Sequence, residues 1–182
     1  VKLYNRTKCP DRILRPLLVA AGRAVSAKTS EVVVKVGQSR LPRATGLATP
    51  AFRVRLGFLR GKPMERWDER WVMTQGGYIR LTLPGCNGSA YAVALAQSFY
   101  EVALHEWGHI RDLQAGIESL PWSGWNGERR PRWGERPEEI RACNYVDEAL
   151  RKEAAGQLTA RDDLILELAI WLEEKAQEVD DE

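Results

Sequence analysis

The chain has 182 residues, 44% hydrophobic and 29% charged, the size and balance of one globular domain, which excludes wholesale disorder. No apolar run reaches the roughly 18 residues that a membrane-spanning helix needs, and residues 1–10 carry no apolar signal-peptide core. With 27 basic and 25 acidic side chains (net charge +2) the chain is too balanced for a dedicated nucleic-acid binder, and three scattered cysteines (Cys9, Cys86, Cys143) form no disulfide framework, so a reducing, cytoplasmic setting is expected.

Val1–Tyr4 reads as a short strand. A helix is expected from Pro10 to about Val25, with Leu14, Leu17, Leu18, Ala21 and Val25 at helical spacing, and Pro16 should kink or split it. Glu31–Val36 is rich in β-branched residues and reads as a strand. Phe52–Phe58 alternates, with Phe52, Val54, Leu56 and Phe58 on one face and Arg53 and Arg55 on the other, as a half-exposed strand does. A polar stretch, Arg60–Arg70, follows. Tyr78–Leu83 is a further strand, stopped by Pro84-Gly85. The turn Cys86-Asn87-Gly88-Ser89 then offers caps for a long helix from about Ala90 to Gln114, with Gly116 as its stop. Residues 117–137 are rich in Trp, Gly and Arg and show no period. Pro137-Glu138-Glu139 starts a helix to about Ala155, its acids suited to the helix dipole. Thr159 caps a last helix carrying Leu164, Ile165, Leu168, Trp171 and Leu172, apolar enough for deep burial or an oligomer interface. Strands and one helix first, then a block of helices, make an α+β pattern in a single domain.

The only two histidines of the chain stand in His105-Glu106-Trp107-Gly108-His109, late in the long helix. Residues at i and i+4 share a helix face, so both imidazoles can reach one metal ion, and Glu106 can aim its carboxylate at water beside it. Zinc in such a site lowers the pKa of its water to about 7 and polarises a carbonyl. Glu106 would act as general base and then hand the proton to the leaving amine. Zinc needs a third protein ligand, and no histidine remains. The metzincin extension is excluded, because it would need Gly and His where Asp112 and Ala115 stand. A downstream acid is the common solution: Glu118, Glu128, Glu135, Glu138, Glu139 or Glu148. Glu139 is preferred, on a helix start after a connection long enough to bring that helix back. Glu138 and the thiol of Cys143 stay open as alternatives.

The run His105–His109, followed by Arg136-Pro137-Glu138-Glu139-Ile140-Arg141-Ala142-Cys143-Asn144, resembles the gluzincin branch of zinc metallopeptidases, and most of all its compact and ImmA/IrrE-like members. The resemblance covers about residues 77–150. It implies a zincin-like fold, hydrolysis of peptide bonds with Zn2+ as cofactor, and a strand ahead of the active-site helix that holds the substrate. Independently, Gly77–Leu83 precedes that helix closely. As an edge strand it could pair with an extended peptide; as an internal strand it could not.

Weaker signals complete the reading. Tyr145 is named as stabiliser of the developing oxyanion, with Arg141 as the other choice. Asp112 or Asp147 can orient a ligand imidazole. The Trp-rich segment, with Trp122, Trp125 and Trp133, suits a lid, a partner surface, a stacking platform or simple core packing. Eight basic residues between 40 and 70 against three acids form a solvated face by default, with nucleic acid as the lesser alternative. The expected function is a zinc endopeptidase acting on protein or peptide: His105, His109 and Glu139 on the metal, Glu106 as base. The rival is a zincin-like module, silent or latent (the latter shut by the Trp-rich segment or Cys86), that binds nucleic acid or a protein partner.

Overall fold

The computed structural model describes residues 1–55, 69–85, 91–117, 136–156 and 161–180. Its elements run β1 (Lys2–Asn5), α1 (Asp11–Ala24), β2 (Val33–Gln38), β3 (Thr45–Arg55), β4 (Glu69–Leu83), α2 (Ala92–Gln114), α3 (Pro137–Ala154) and α4 (Arg161–Asp180). The architecture is α+β: four helices and one four-stranded mixed sheet. The caps expected from Cys86–Ser89 and Thr159, the segment 118–135 and the run 56–68 lie outside the described residues.

Parallel strands need a crossover, and α1 supplies it between β1 and β2. β4 joins β2 in parallel, and β3 returns antiparallel along the other side of β4, giving the order β1-β2-β4-β3. Tyr78–Leu83 is therefore internal, paired with Val33–Gln38 on one side and with Thr45–Thr49 on the other. The edge-strand alternative for Gly77–Leu83 is set aside, and β3 takes the edge among the described residues. β3 also begins seven residues before the expected Phe52, where Gly46 and Pro50 hide it from propensity. Its pairing shifts register between Thr49 and Ala51, around Pro50, which lacks the N–H that a regular ladder requires.

Alternation sorts the sheet into two faces. Val34, Val36, Ile79, Leu81 and Leu83 are fully buried and face the helices, whereas Arg80 is exposed. α1 lays Leu14, Leu17, Leu18 and Ala21 into this core. Pro16 does not split α1, which runs unbroken from Asp11 to Ala24. Pro16 and Arg12 are both exposed, so the carbonyl left without its partner lies on the wet side of the helix. Helix ends follow a common rule. Ser26 (φ 61°) and Gly116 (φ 70°) both take the left-handed conformation. After each, a 6→1 backbone bond closes the turn, Ala27 N–H to Gly22 O and Ile117 N–H to Asp112 O, each 2.9 Å.

α2 is the central helix, touching α1, α3, α4, β3 and β4. α4 buries Ile165, Leu168, Ala169, Trp171 and Leu172 against this core and leaves Leu166 and Ile170 exposed. Tyr100 on α2 donates to Glu153 Oε1 on α3 at 2.6 Å, and Arg161 on α4 pairs with Glu153 Oε2 at 3.2 Å, so one buried carboxylate joins three helices. Among the described residues, no helix is long and apolar enough to cross a membrane.

Candidate metal centre

The centre grows out of how closely α2 lets its neighbours approach. Gly108 is buried, and a Cβ there would stand 3.1 Å from the Tyr145 ring and 3.2 Å from Ala142 Cα. The missing side chain lets α3 lie against α2 at the level of the histidines. Ala142 is small and fully buried at the same crossing. Glu139 lies one turn before Ala142 on the same face of α3, so the crossing delivers its carboxylate to the imidazoles.

The result is a tight triangle of donor atoms. His105 Nε2 and Glu139 Oε2 are 3.0 Å apart, His109 Nε2 and Glu139 Oε2 3.4 Å, and the two Nε2 atoms 3.2 Å. The rings meet edge to face, with centroids 4.8 Å apart. Ligands at zinc-like distances of about 2.0–2.1 Å on a tetrahedral ion sit about 3.3 Å from one another. All three observed edges bracket that value. Two neutral nitrogens and one carboxylate oxygen are also the donor set that a borderline divalent ion takes. His105, His109 and Glu139 thus form a group able to hold a metal ion.

Each expected site residue has a definite place. Among the third-ligand choices that are described, the fold brings Glu139 to the histidines. Cys143 Sγ lies 3.8 Å from His105 Nδ1, on the ring nitrogen turned away from the triangle, and burial followed by the nearby Glu139 charge pushes its thiol pKa up. Glu148 accepts from Lys152 Nζ at 2.6 Å, a bond that lowers its pKa. Glu138 is no member of the metal-capable group. Glu118, Glu128 and Glu135 lie outside the described residues.

Glu106 is buried (7% exposed) on the same turn of α2. Its carboxylate lies under β3: a Cβ built on Gly46 would stand 2.5 Å from Glu106 Oε1 and 2.7 Å from Cδ. Only glycine lets the edge strand pass so near to this acid. The sequence reading missed Gly46; a lone glycine within a strand was the available sign of close approach.

Asp112 does not take the imidazole-orienting place expected of it. It is 1% exposed, and its two oxygens accept from Tyr145 Oη at 2.7 Å and Arg141 Nε at 2.6 Å. Tyr145 and Arg141, the two named stabilisers, are both engaged there. The bond to Asp112 is the first cause that raises the Tyr145 pKa, and the Arg111 guanidinium stacks over the ring at 4.2 Å. Asp147 is exposed, and its carbonyl accepts from Arg151 Nε at 3.1 Å. Asp112, Arg141 and Tyr145 together bolt α3 to α2 beside the metal-capable triangle.

Compared with known protein families, with curated proteins and with solved structures, the chain matches none.

Proposed function

We propose that the chain is a zinc-dependent endopeptidase of gluzincin type with a zincin-like arrangement of helix and sheet. One observation carries the reading: two imidazoles, a carboxylate at tetrahedral spacing and a second, buried carboxylate meet beside β3, an edge strand of the sheet among the described residues. His105, His109 and Glu139 would hold the ion. A bound Zn2+ supplies Lewis acidity, acidifying water and polarising a carbonyl.

The remaining steps belong to the chain. β3, the edge strand beside Glu106, offers backbone donors and acceptors along which an extended peptide aligns as an added strand. That alignment carries a scissile amide past Gly46 towards Glu106. Glu106 takes the proton of the attacking water and returns it to the departing amine. Tyr145 is proposed to stabilise the oxyanion, and to do so its hydroxyl exchanges Asp112 for substrate. In its present bond it holds Glu139 in place through the α2–α3 contact.

The test is Glu106→Gln beside His109→Ala. The glutamine variant should bind one zinc per chain, as wild type does, and lose hydrolysis of an unstructured protein by a factor of about 10³ or more. The alanine variant should lose both. Hydrolysis retained in pure Glu106→Gln protein, or absence of stoichiometric metal from wild type, defeats the proposal.

A further inference from the structure

The metal-capable triangle uses the Nε2 nitrogen of each histidine. In His105 the second ring nitrogen has a neighbour as well. Cys143 Sγ lies 3.8 Å from His105 Nδ1, a separation that suits a hydrogen bond to sulfur. Glu139 and Cys143 stand four residues apart on α3 and so share one face of that helix. One turn of α3 therefore meets both nitrogens of a single imidazole, Glu139 Oε2 at Nε2 (3.0 Å) and Cys143 Sγ at Nδ1. Asp112, an acid expected to orient an imidazole, has its two oxygens engaged by Tyr145 and Arg141.

The chemistry of a metal-bound imidazole fixes the direction of this contact. A neutral ring carries one N–H, and Nε2 needs its lone pair for the ion, so the proton sits on Nδ1. Nδ1–H then donates and a sulfur lone pair of Cys143 accepts. The contact also selects the orientation of the ring. A half-turn about the Cβ–Cγ bond would exchange Nδ1 with Cδ2 and bring Cε1 to the place of Nε2, where a carbon binds no metal. Sulfur opposite Nδ1 favours the productive orientation, because a ring C–H is a far poorer donor than N–H. With an ion on Nε2 the ring loses electron density and Nδ1–H becomes the stronger donor, so the contact and the ion support each other.

We propose that Cys143 is a positioning residue that holds His105 in the tautomer and orientation presenting Nε2 to the ion. Cys143 acts through the imidazole and is not itself a ligand, since its sulfur lies beside the nitrogen turned away from the triangle. The inference rests on the metal-holding part of the proposed function and not on peptide hydrolysis.

The test compares the full wild-type chain with Cys143→Ala, which removes the acceptor, and Cys143→Ser, which keeps one. Competition with a chromogenic chelator gives the zinc affinity. Proton NMR of the zinc-loaded chain gives the exchange of each Nδ1–H with water, and only two histidines contribute such signals. Cys143→Ala should bind zinc about 10–100-fold more weakly than wild type, and its His105 Nδ1–H should exchange about tenfold faster. The His109 signal should stay as it is. Cys143→Ser should restore both affinity and slow exchange. Cys143 is exposed, so the metal-free melting temperature should be the same in all three proteins. Wild-type affinity or wild-type exchange in Cys143→Ala, a serine variant no better than the alanine one, or metal-free melting temperatures that fall in step with affinity would each overturn the proposal. A wild type that binds no zinc removes the metal centre and this inference together. Zinc bound, and weakened by Cys143→Ala, in a chain that hydrolyses no peptide upholds the role of Cys143 and defeats the peptidase reading alone.

Discussion

Gly46 owes its place to what it lacks. The nearest atoms to a Cβ there belong to the Glu106 carboxylate, so any side chain must push either the strand or the acid away. Gly46→Ala should cut peptide hydrolysis tenfold or more while zinc content stays near one per chain. Steady-state kinetics beside metal analysis checks this, and equal loss of metal would place the damage in the fold instead. Cys9 makes a different residue-scale prediction. Burial comes first among the causes that push its thiol pKa up from 9.0 to about 12. The folded value exceeds the unfolded one, so the neutral thiol favours the fold fully below pH 9, and that contribution is lost as pH rises from 9 to 12. Urea melts should show stability falling across this window, less steeply in Cys9→Ala. At neutral pH Cys143, which is exposed, should be alkylated while Cys9 stays unlabelled until the chain unfolds.

Between elements, the decisive distance is the one separating α2 from α3. Gly108 and Ala142 let the helices close, and Asp112 locks them through Arg141 and Tyr145. Asp112→Asn replaces a buried charge that satisfies two donors with a group able to satisfy them only in part. It should destabilise the fold by about 2–3 kcal/mol. Because Glu139 rides on the same helix as Arg141 and Tyr145, zinc affinity should fall as well. Gly108→Ala should act by the steric route, moving Ala142 by a few tenths of an ångström and weakening zinc binding by about tenfold. Competition with a chromogenic chelator measures both variants, and an unchanged affinity in both would show that the helix contact does not set the site. The motif on α2 was plain in the sequence because two histidines and a glutamate at i, i+1 and i+4 are a local pattern. Glu139 could only be preferred over Glu138 and Cys143, since the choice turns on which face of α3 meets Gly108. That is a property of two helices, not of either one.

At the scale of the whole molecule, the metal-capable group joins two helices distant in the chain, His105 and His109 on α2 and Glu139 on α3, so an ion held there would couple its binding to folding. Zinc held by the folded state alone stabilises it by about 2.7 kcal/mol at one hundred times the dissociation constant, or roughly 5–10 °C in melting temperature for a chain of this length. Chelation should lower the wild-type melting point by this order and leave His109→Ala unmoved. A calorimetric scan with and without chelator decides it. Trp107, between the two histidines in sequence, is fully buried, and Gly22 of α1 leaves room for its indole.

The α1, α2, α3 and α4 helices, the short β1 and β2 strands (their bounds shifted by a residue or two) and the histidine pair were legible in the sequence, because periodicity and i, i+4 spacing are written locally. Pro16 did not split α1, since its cost depends on whether the orphaned carbonyl is buried, and Arg12 and Pro16 lie on the exposed side of the helix. The first half of β3 escaped notice behind Gly46 and Pro50, residues that propensity assigns to turns. Whether Tyr78–Leu83 lay inside or at the edge of the sheet, which strand borders Glu106, and which acid completes the triangle were decided by tertiary structure alone. Each depends on partners far away in the chain. Pairing between distant segments is set by the packing of the whole core, which no local stretch of residues encodes.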